Sequence, residues 1–98
     1  MTERPRLTVQ VISGADGPDE VHIWLNPAAR ERLIVELNKL DPRDDHFHVF
    51  DYDWIGDGFQ LSPIPYHEGD KLVSHLKVLL RPDDWDREYF PHVLPPTE

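Results

Sequence analysis

Cysteine is absent from the 98-residue chain. That excludes disulfides, thiolate metal ligands and a cysteine nucleophile, and it fits a reducing compartment. No apolar run approaches the roughly 20 residues needed to span a bilayer. The opening M-T-E-R-P-R-L-T-V-Q carries basic residues but no apolar stretch of the signal-peptide kind. The expectation is a cytoplasmic protein with no membrane partner. Positive charge is also scarce, with 10 Lys and Arg against 19 Asp and Glu, for a net charge of -9. Phosphate backbones need a basic footprint, so no direct nucleic-acid contact is expected. The motifs G-x-S-x-G, P-loop and H-E-x-x-H are missing too. Most carboxylates fall in turns, where water keeps their acidity ordinary. The chain reads as a non-enzyme with no cofactor.

The acidity that is present is unevenly spread. Residues 1–40 carry 5 basic and 6 acidic side chains, and residues 71–98 carry 4 and 5. Residues 41–70 carry 1 basic side chain (Arg43) and 8 acidic ones, a net of -7. Such a segment either solubilises a surface or steers a basic partner.

The length fits one domain, residues 1–98, with 93–98 as a loose tail. L-T-V-Q-V-I (7–12) and E-V-H-I-W-L (20–25) alternate as half-buried strands, and the turn chemistry of 13–20 makes them a hairpin. Asn26 and Pro27 are an N-cap and a first helical residue. Leu33, Ile34, Leu37 and Leu40 then recur at helical spacing. Asp41 precedes Pro42, which ends the helix near Leu40. H-F-H-V-F (46–50), F-Q-L-S (59–62) and K-L-V-S-H-L-K-V-L-L (71–80) read as three more strands. R-P-D-D-W-D-R-E-Y-F-P (81–91) adds a short helical turn. The predicted fold is α+β in two layers, β-β-α-β-β-β, with a mostly antiparallel sheet of about five strands and one long helix on one face.

In that arrangement Leu7, Val9, Val11, Val21, Ile23, Leu25, Phe47, Val49, Leu76, Val78 and Leu80 form the core beneath Leu33, Ile34, Leu37 and Leu40. The opposite sheet face displays Gln10, His22, Trp24, His46, His48, Phe50, His75 and Lys77. It is either an open interface or a face covered by Trp85, Tyr89 and Phe90 from the C-terminal segment.

H-F-H-V-F-D-Y-D-W-I-G-D-G (46–58) concentrates the candidate chemistry. Asp51, Asp53 and Asp57 begin like a calcium loop, but Ile55 stands where Asp or Asn is required and Ser62 where a bidentate Glu is required. His46 and His48 share a strand face, and His75 could join them as a zinc or iron site. The third possibility is a protein-binding surface, with Tyr52 and Trp54 as aromatic anchors, Asp51, Asp53 and Asp57 as a charged rim, and His46 and His48 beside them. This reading is favoured. The alternatives are a small His-based metal-binding protein or metal-dependent enzyme, and an interaction subunit that homodimerises through the open sheet face.

H-F-H-V (46–49), W-I-G-D-G-F-Q-L-S (54–62), S-H-L-K-V (74–78) and D-E-V-H-I-W (19–24) together resemble immunity protein family 32 of bacterial polymorphic toxin systems. The family pattern has a plain W-G-G turn and a second His where this chain has W-I-G-D-G and Ser74. The resemblance implies a cytoplasmic protein that binds and neutralises a cognate toxin. It implies no catalytic residues. The acidic middle of the chain adds that such a toxin is basic, with a nuclease as one candidate.

Overall fold

The computed structural model describes residues 4–13, 17 and 19–96. Residues 14–16 and 18 of the expected turn and the end of the tail, 97–98, lie outside them. The fold is α+β, and the described residues form five strands and two α-helices in the order β-β-α-β-β-β-α. Strand β1 (Leu7–Ile12) lies between β2 (Glu20–Leu25) and β4 (Lys71–Leu72), antiparallel to both. Strand β3 (His46–Phe50) pairs antiparallel with β5 (His75–Leu79) in a second small sheet.

Helix α1 (Pro27–Lys39) starts where its sequence dictates. The Asn26 side chain accepts from Ala29 N–H at 2.9 Å, covering one of the first-turn donors that have no helical partner. The same amide accepts from Arg6 N–H and donates to the Arg4 carbonyl, so the cap also ties the helix to the start of β1. Pro27 occupies the first turn, and Leu40 caps the C-terminus ahead of Asp41-Pro42. Helix α2 (Asp83–Tyr89) is followed by a 3-10 turn at Pro91–Val93.

The strands depart from expectation in two places. The run 71–80 is one strand by pattern but divides at Val73–Ser74. Its first part serves β1 and its second serves β3. The run 59–62 forms no strand. It contributes a single parallel bridge, Leu7 with Leu61. Two backbone hydrogen bonds of 2.7 Å fix that bridge, from Leu61 N–H to the Phe50 carbonyl and from Ser62 N–H to the Leu7 carbonyl. Leu61 and the divided run 71–80 thereby both connect the two sheets.

The buried apolar centre is Leu7, Val9, Ala29, Val49, Phe59 and Leu61, with Leu33, Phe47, Val73 and Leu76 packed around it. Phe59, Leu61 and Ala29 are additions to the expected core. Val21, Ile23, Leu25, Ile34 and Leu37 are removals, because all five are exposed. Ala29 and Leu33 of the helix pack in the core with Leu7 and Val9 of β1, while Val21, Ile23 and Leu25 of β2 stay exposed.

Gln10 is the reverse correction. It was expected on a wet face but is fully buried. Its Nε2 donates to Asp70 Oδ2 at 2.6 Å, and its Oε1 accepts from Tyr66 N–H at 3.0 Å. A buried amide is tolerated when both ends are satisfied. These bonds fold the 63–70 loop over that face, and the Tyr66 ring stacks on Trp24 at 4.2 Å. Trp85, Tyr89 and Phe90 instead cluster with one another, with centroids 4.7 and 5.4 Å from Trp85.

Leu61→Ala is expected to cost about 2–5 kcal/mol, because it opens a cavity where the two sheets meet. Ile64→Ala, at a position 71 % exposed, is expected to stay within about 0.5 kcal/mol. Urea unfolding of both variants against the parent measures the difference.

Candidate functional site

The β3–β5 register sets Phe50 opposite His75 and His48 opposite Lys77. Alternation then puts His46, His48 and Phe50 on one face with His75. Their rings form a continuous array. His46 meets His48 edge-on at 5.1 Å, and His48 stacks on His75 at 4.9 Å. Phe50 stacks on His75 at 4.5 Å and continues to Tyr52 and Trp54, each at 5.2 Å. Five of the expected site residues and His75 thus belong to one array or its edge: His46, His48, Tyr52 and Trp54 by ring contact, and Asp51 by sequence between Phe50 and Tyr52.

His48 Nδ1 lies 2.7 Å from His75 Nε2. One nitrogen must carry the hydrogen and the other must offer its lone pair. The pair accommodates one added proton but not two, since two N–H groups would then face each other. Burial, followed by the nearby His75, His46 and Lys77, holds the His48 imidazole below its ordinary pKa of 6.5. Among the described residues, no three His, Asp or Glu side chains converge as a metal-binding group.

The 51–58 loop is built by its own polar groups. Gly56 and Gly58 have φ of 78° and 81°, a region glycine enters without a Cβ clash. Asp53 Oδ1 accepts from Gly58 N–H at 3.0 Å, and Asp57 Oδ1 accepts from Phe59 N–H at 3.1 Å. The other Asp57 oxygen is ion-paired with Arg32. Arg32 also bonds Glu36 Oε1 at 2.9 Å and lies 4.8 Å over the Phe59 ring. Burial pushes the Asp57 carboxyl up, but the bonds from Arg32 and Phe59 N–H outweigh it and hold the group below its ordinary value. Burial likewise disfavours the Arg32 charge, and Asp57 and Glu36 overcome it.

The three aspartates therefore differ in role. Asp57 clamps the loop to helix α1 and is no free rim charge. Asp53 stiffens the turn with one oxygen. Asp51 is exposed and, like Asp44 and Asp53, has no ion-pair partner among the described residues. Asp45 is engaged by His46 at 2.8 Å and Arg81 at 2.9 Å; the His46 bond leads in holding its carboxyl below the ordinary range.

A cleft of about 310 Å³ joins these parts. Its walls are Phe47, Trp54, Ile55 and Phe59, and its polar groups are Arg32, Glu36, Asp44, His46, His48 and Asp57. Asp51, Tyr52 and Asp53 lie outside it. Sequence reasoning missed Asp44, Glu36 and Arg32. Asp44 was already visible in the acidic run. Glu36 and Arg32 carried only the i,i+4 spacing of a surface pair, which says nothing of what the helix faces. Comparison of the chain with protein-family models, curated proteins and solved structures gave no match.

Asp57→Asn is expected to destabilise the fold by about 1–2 kcal/mol, the range for a charge-assisted bond that remains partly solvated. Asp51→Asn should leave stability within about 0.5 kcal/mol. Chemical denaturation separates the two.

The unfolded chain takes up the His48 proton more readily than the folded one. Stability is therefore full above about pH 6.5 and declines as pH falls from there through the lower folded value. His48→Gln should flatten that part of the stability profile. A histidine-resolved NMR titration should place His48 below 6.5 in the parent and nearer 6.5 in His75→Ala.

Proposed function

We propose that this chain is a binding inhibitor of a basic protein, of the toxin-neutralising kind that its resemblance to immunity protein family 32 implies. The supporting observation is the aromatic and acidic cleft between α1 and the 51–58 loop. Tyr52 and Trp54 are 55 % and 52 % exposed, although each touches the Phe50 ring. Large aromatic side chains held out of the core by partners on one side supply the desolvated area that interfaces use. Asp44 lies in the same cleft, and the unpaired Asp51 and Asp53 stand beside the exposed rings. A lysine or arginine entering the cleft meets Asp44 and Trp54 together, by charge and by cation–π contact.

This reading narrows the expected site. Trp54, Tyr52, Asp44 and Asp51 carry the contact, with His46 and His48 lining its floor. Asp57 and Arg32 hold the cleft open. The net charge of -7 over residues 41–70 speeds encounter with a basic partner and repels nucleic acid. The favoured partner is a cognate toxin, including a nuclease whose phosphate site accepts carboxylates.

The test is affinity capture from lysate of the source organism, followed by growth assays with the captured partner. The parent is compared with an Asp44→Lys, Asp51→Lys, Trp54→Ala variant of equal melting temperature. A basic protein held by the parent, lost by the variant, and toxic unless the parent is co-expressed is the expected result. Association should slow several-fold between low and physiological salt. Equal capture and protection by the variant would remove the cleft from the reading.

A further inference from the structure

We propose that strand β2 is an interface, and that a second copy of this chain pairs with it antiparallel about a twofold axis at Ile23. Strand β2 ends its sheet and has β1 as its one strand partner among the described residues. The hydrogen-bond parity shows which of its groups face outward. Asn26 N–H bonds the Arg6 carbonyl, in register with Leu7 opposite Leu25. Residues 20, 22, 24 and 26 therefore face β1, because bonded pairs alternate. On the far side of β1, Ser62 N–H bonds Leu7 and Val73 N–H bonds Val9, which agrees with that parity. The N–H and C=O groups of Val21, Ile23 and Leu25 accordingly point along the free edge.

The same three residues present exposed apolar side chains, at 62 %, 53 % and 39 %. Open edges are ordinarily blunted by lysine, proline or charge turned inward. Strand β5 has Lys77 at its centre, whereas β2 has only Glu20, at its first position. Above this edge, α1 turns Ala29 and Leu33 to the core and Arg32 toward Asp57 and Phe59. At 3.6 residues per turn, Ile34 and Leu37 fall on the flank away from Arg32. Both are exposed. Among the described residues, no further strand pairs with this edge.

A second copy closes it with matching chemistry. With Ile23 on the axis, Ile23 meets its own counterpart, Val21 meets Leu25, His22 meets Trp24 and Glu20 meets Asn26. Every outward N–H and C=O of the three edge residues finds a partner. No like charges oppose one another, so the overall charge of -9 is not concentrated at the seam. Sliding by two residues in one direction puts His22 against His22 and Glu20 against Trp24, and in either direction it leaves an end of the apolar ladder unpaired. An axis through an antiparallel seam stands perpendicular to the sheet. Both helices then lie on one face of the joined ladder.

The absence of cysteine makes the test specific. Sedimentation of the full chain should give twice its 11.5 kDa mass at micromolar concentration. Ile23→Lys should sediment as a monomer with an unchanged circular dichroism spectrum. Ile23→Cys should oxidise to a disulfide-linked dimer, since bonded antiparallel pairs set Cα atoms about 5.5 Å apart, within disulfide range. Glu20→Cys, whose copies stand at opposite ends of the seam, should not. A parent that stays monomeric to near-millimolar concentration overturns the proposal. So does a dimer that survives Ile23→Lys, or equal cross-linking of Ile23→Cys and Glu20→Cys.

Discussion

Two short sheets meet at Leu61, and the irregular segment that carries it also supplies Phe59 to the cleft. The Leu61 N–H and the following one tie β3 to β1, and the Leu61 side chain is fully buried with Leu7 and Val49. A strand at 59–62 would have run along one partner. A single bridge touches two strands at once and lets each sheet keep its own twist. The junction also sets Phe59 beneath Arg32, so the clamp on the acidic loop rests on the residue two before the bridge. The Arg32–Asp57 pair is thus downstream of a packing event in an irregular segment.

The cleft shows how one set of charges can be divided by use. Of the aspartates in 44–57, some are consumed in holding backbone and some remain free for an arriving cation. Charge count alone cannot separate them. Asp57 and Asp51 are six residues apart and chemically identical, yet one closes onto a guanidinium and the other faces water. The distinction arises from Gly56 and Gly58, whose left-handed backbone turns the loop back toward α1. The histidine pair adds a second layer of the same kind. His48 and His75 are joined by a hydrogen bond that sets one ring against the other.

Local signals were legible in the sequence and distant ones were not. Asn26, Pro27 and the stop at Asp41-Pro42 defined α1 because capping is decided within four residues. The H-x-H spacing put His46 and His48 on one face because strands alternate. Alternation could not say which alternating face is covered, and Val21, Ile23 and Leu25 look the same in sequence as Leu7 and Val9. Gln10 reads as surface because its partners, Tyr66 and Asp70, lie 56 and 60 residues away. Leu61 sits between Gly58 and Pro63, where a strand pattern is too short to show what it bridges. The division of 71–80 likewise depends on two different strands competing for one run.

The buried amide of Gln10 also sets an order in time. Its two partners follow it by more than half the chain, and Leu61 follows Leu7 by 54 residues. During synthesis the first strand and its hairpin emerge complete but cannot be enclosed until residue 70 has left the ribosome. At about 5–20 residues per second, the 45 residues between the end of β2 and residue 70 take roughly 2–9 s. Through it the nascent hairpin exposes both of its faces and its bare edge, so the most hazardous period for this chain falls before its last third exists.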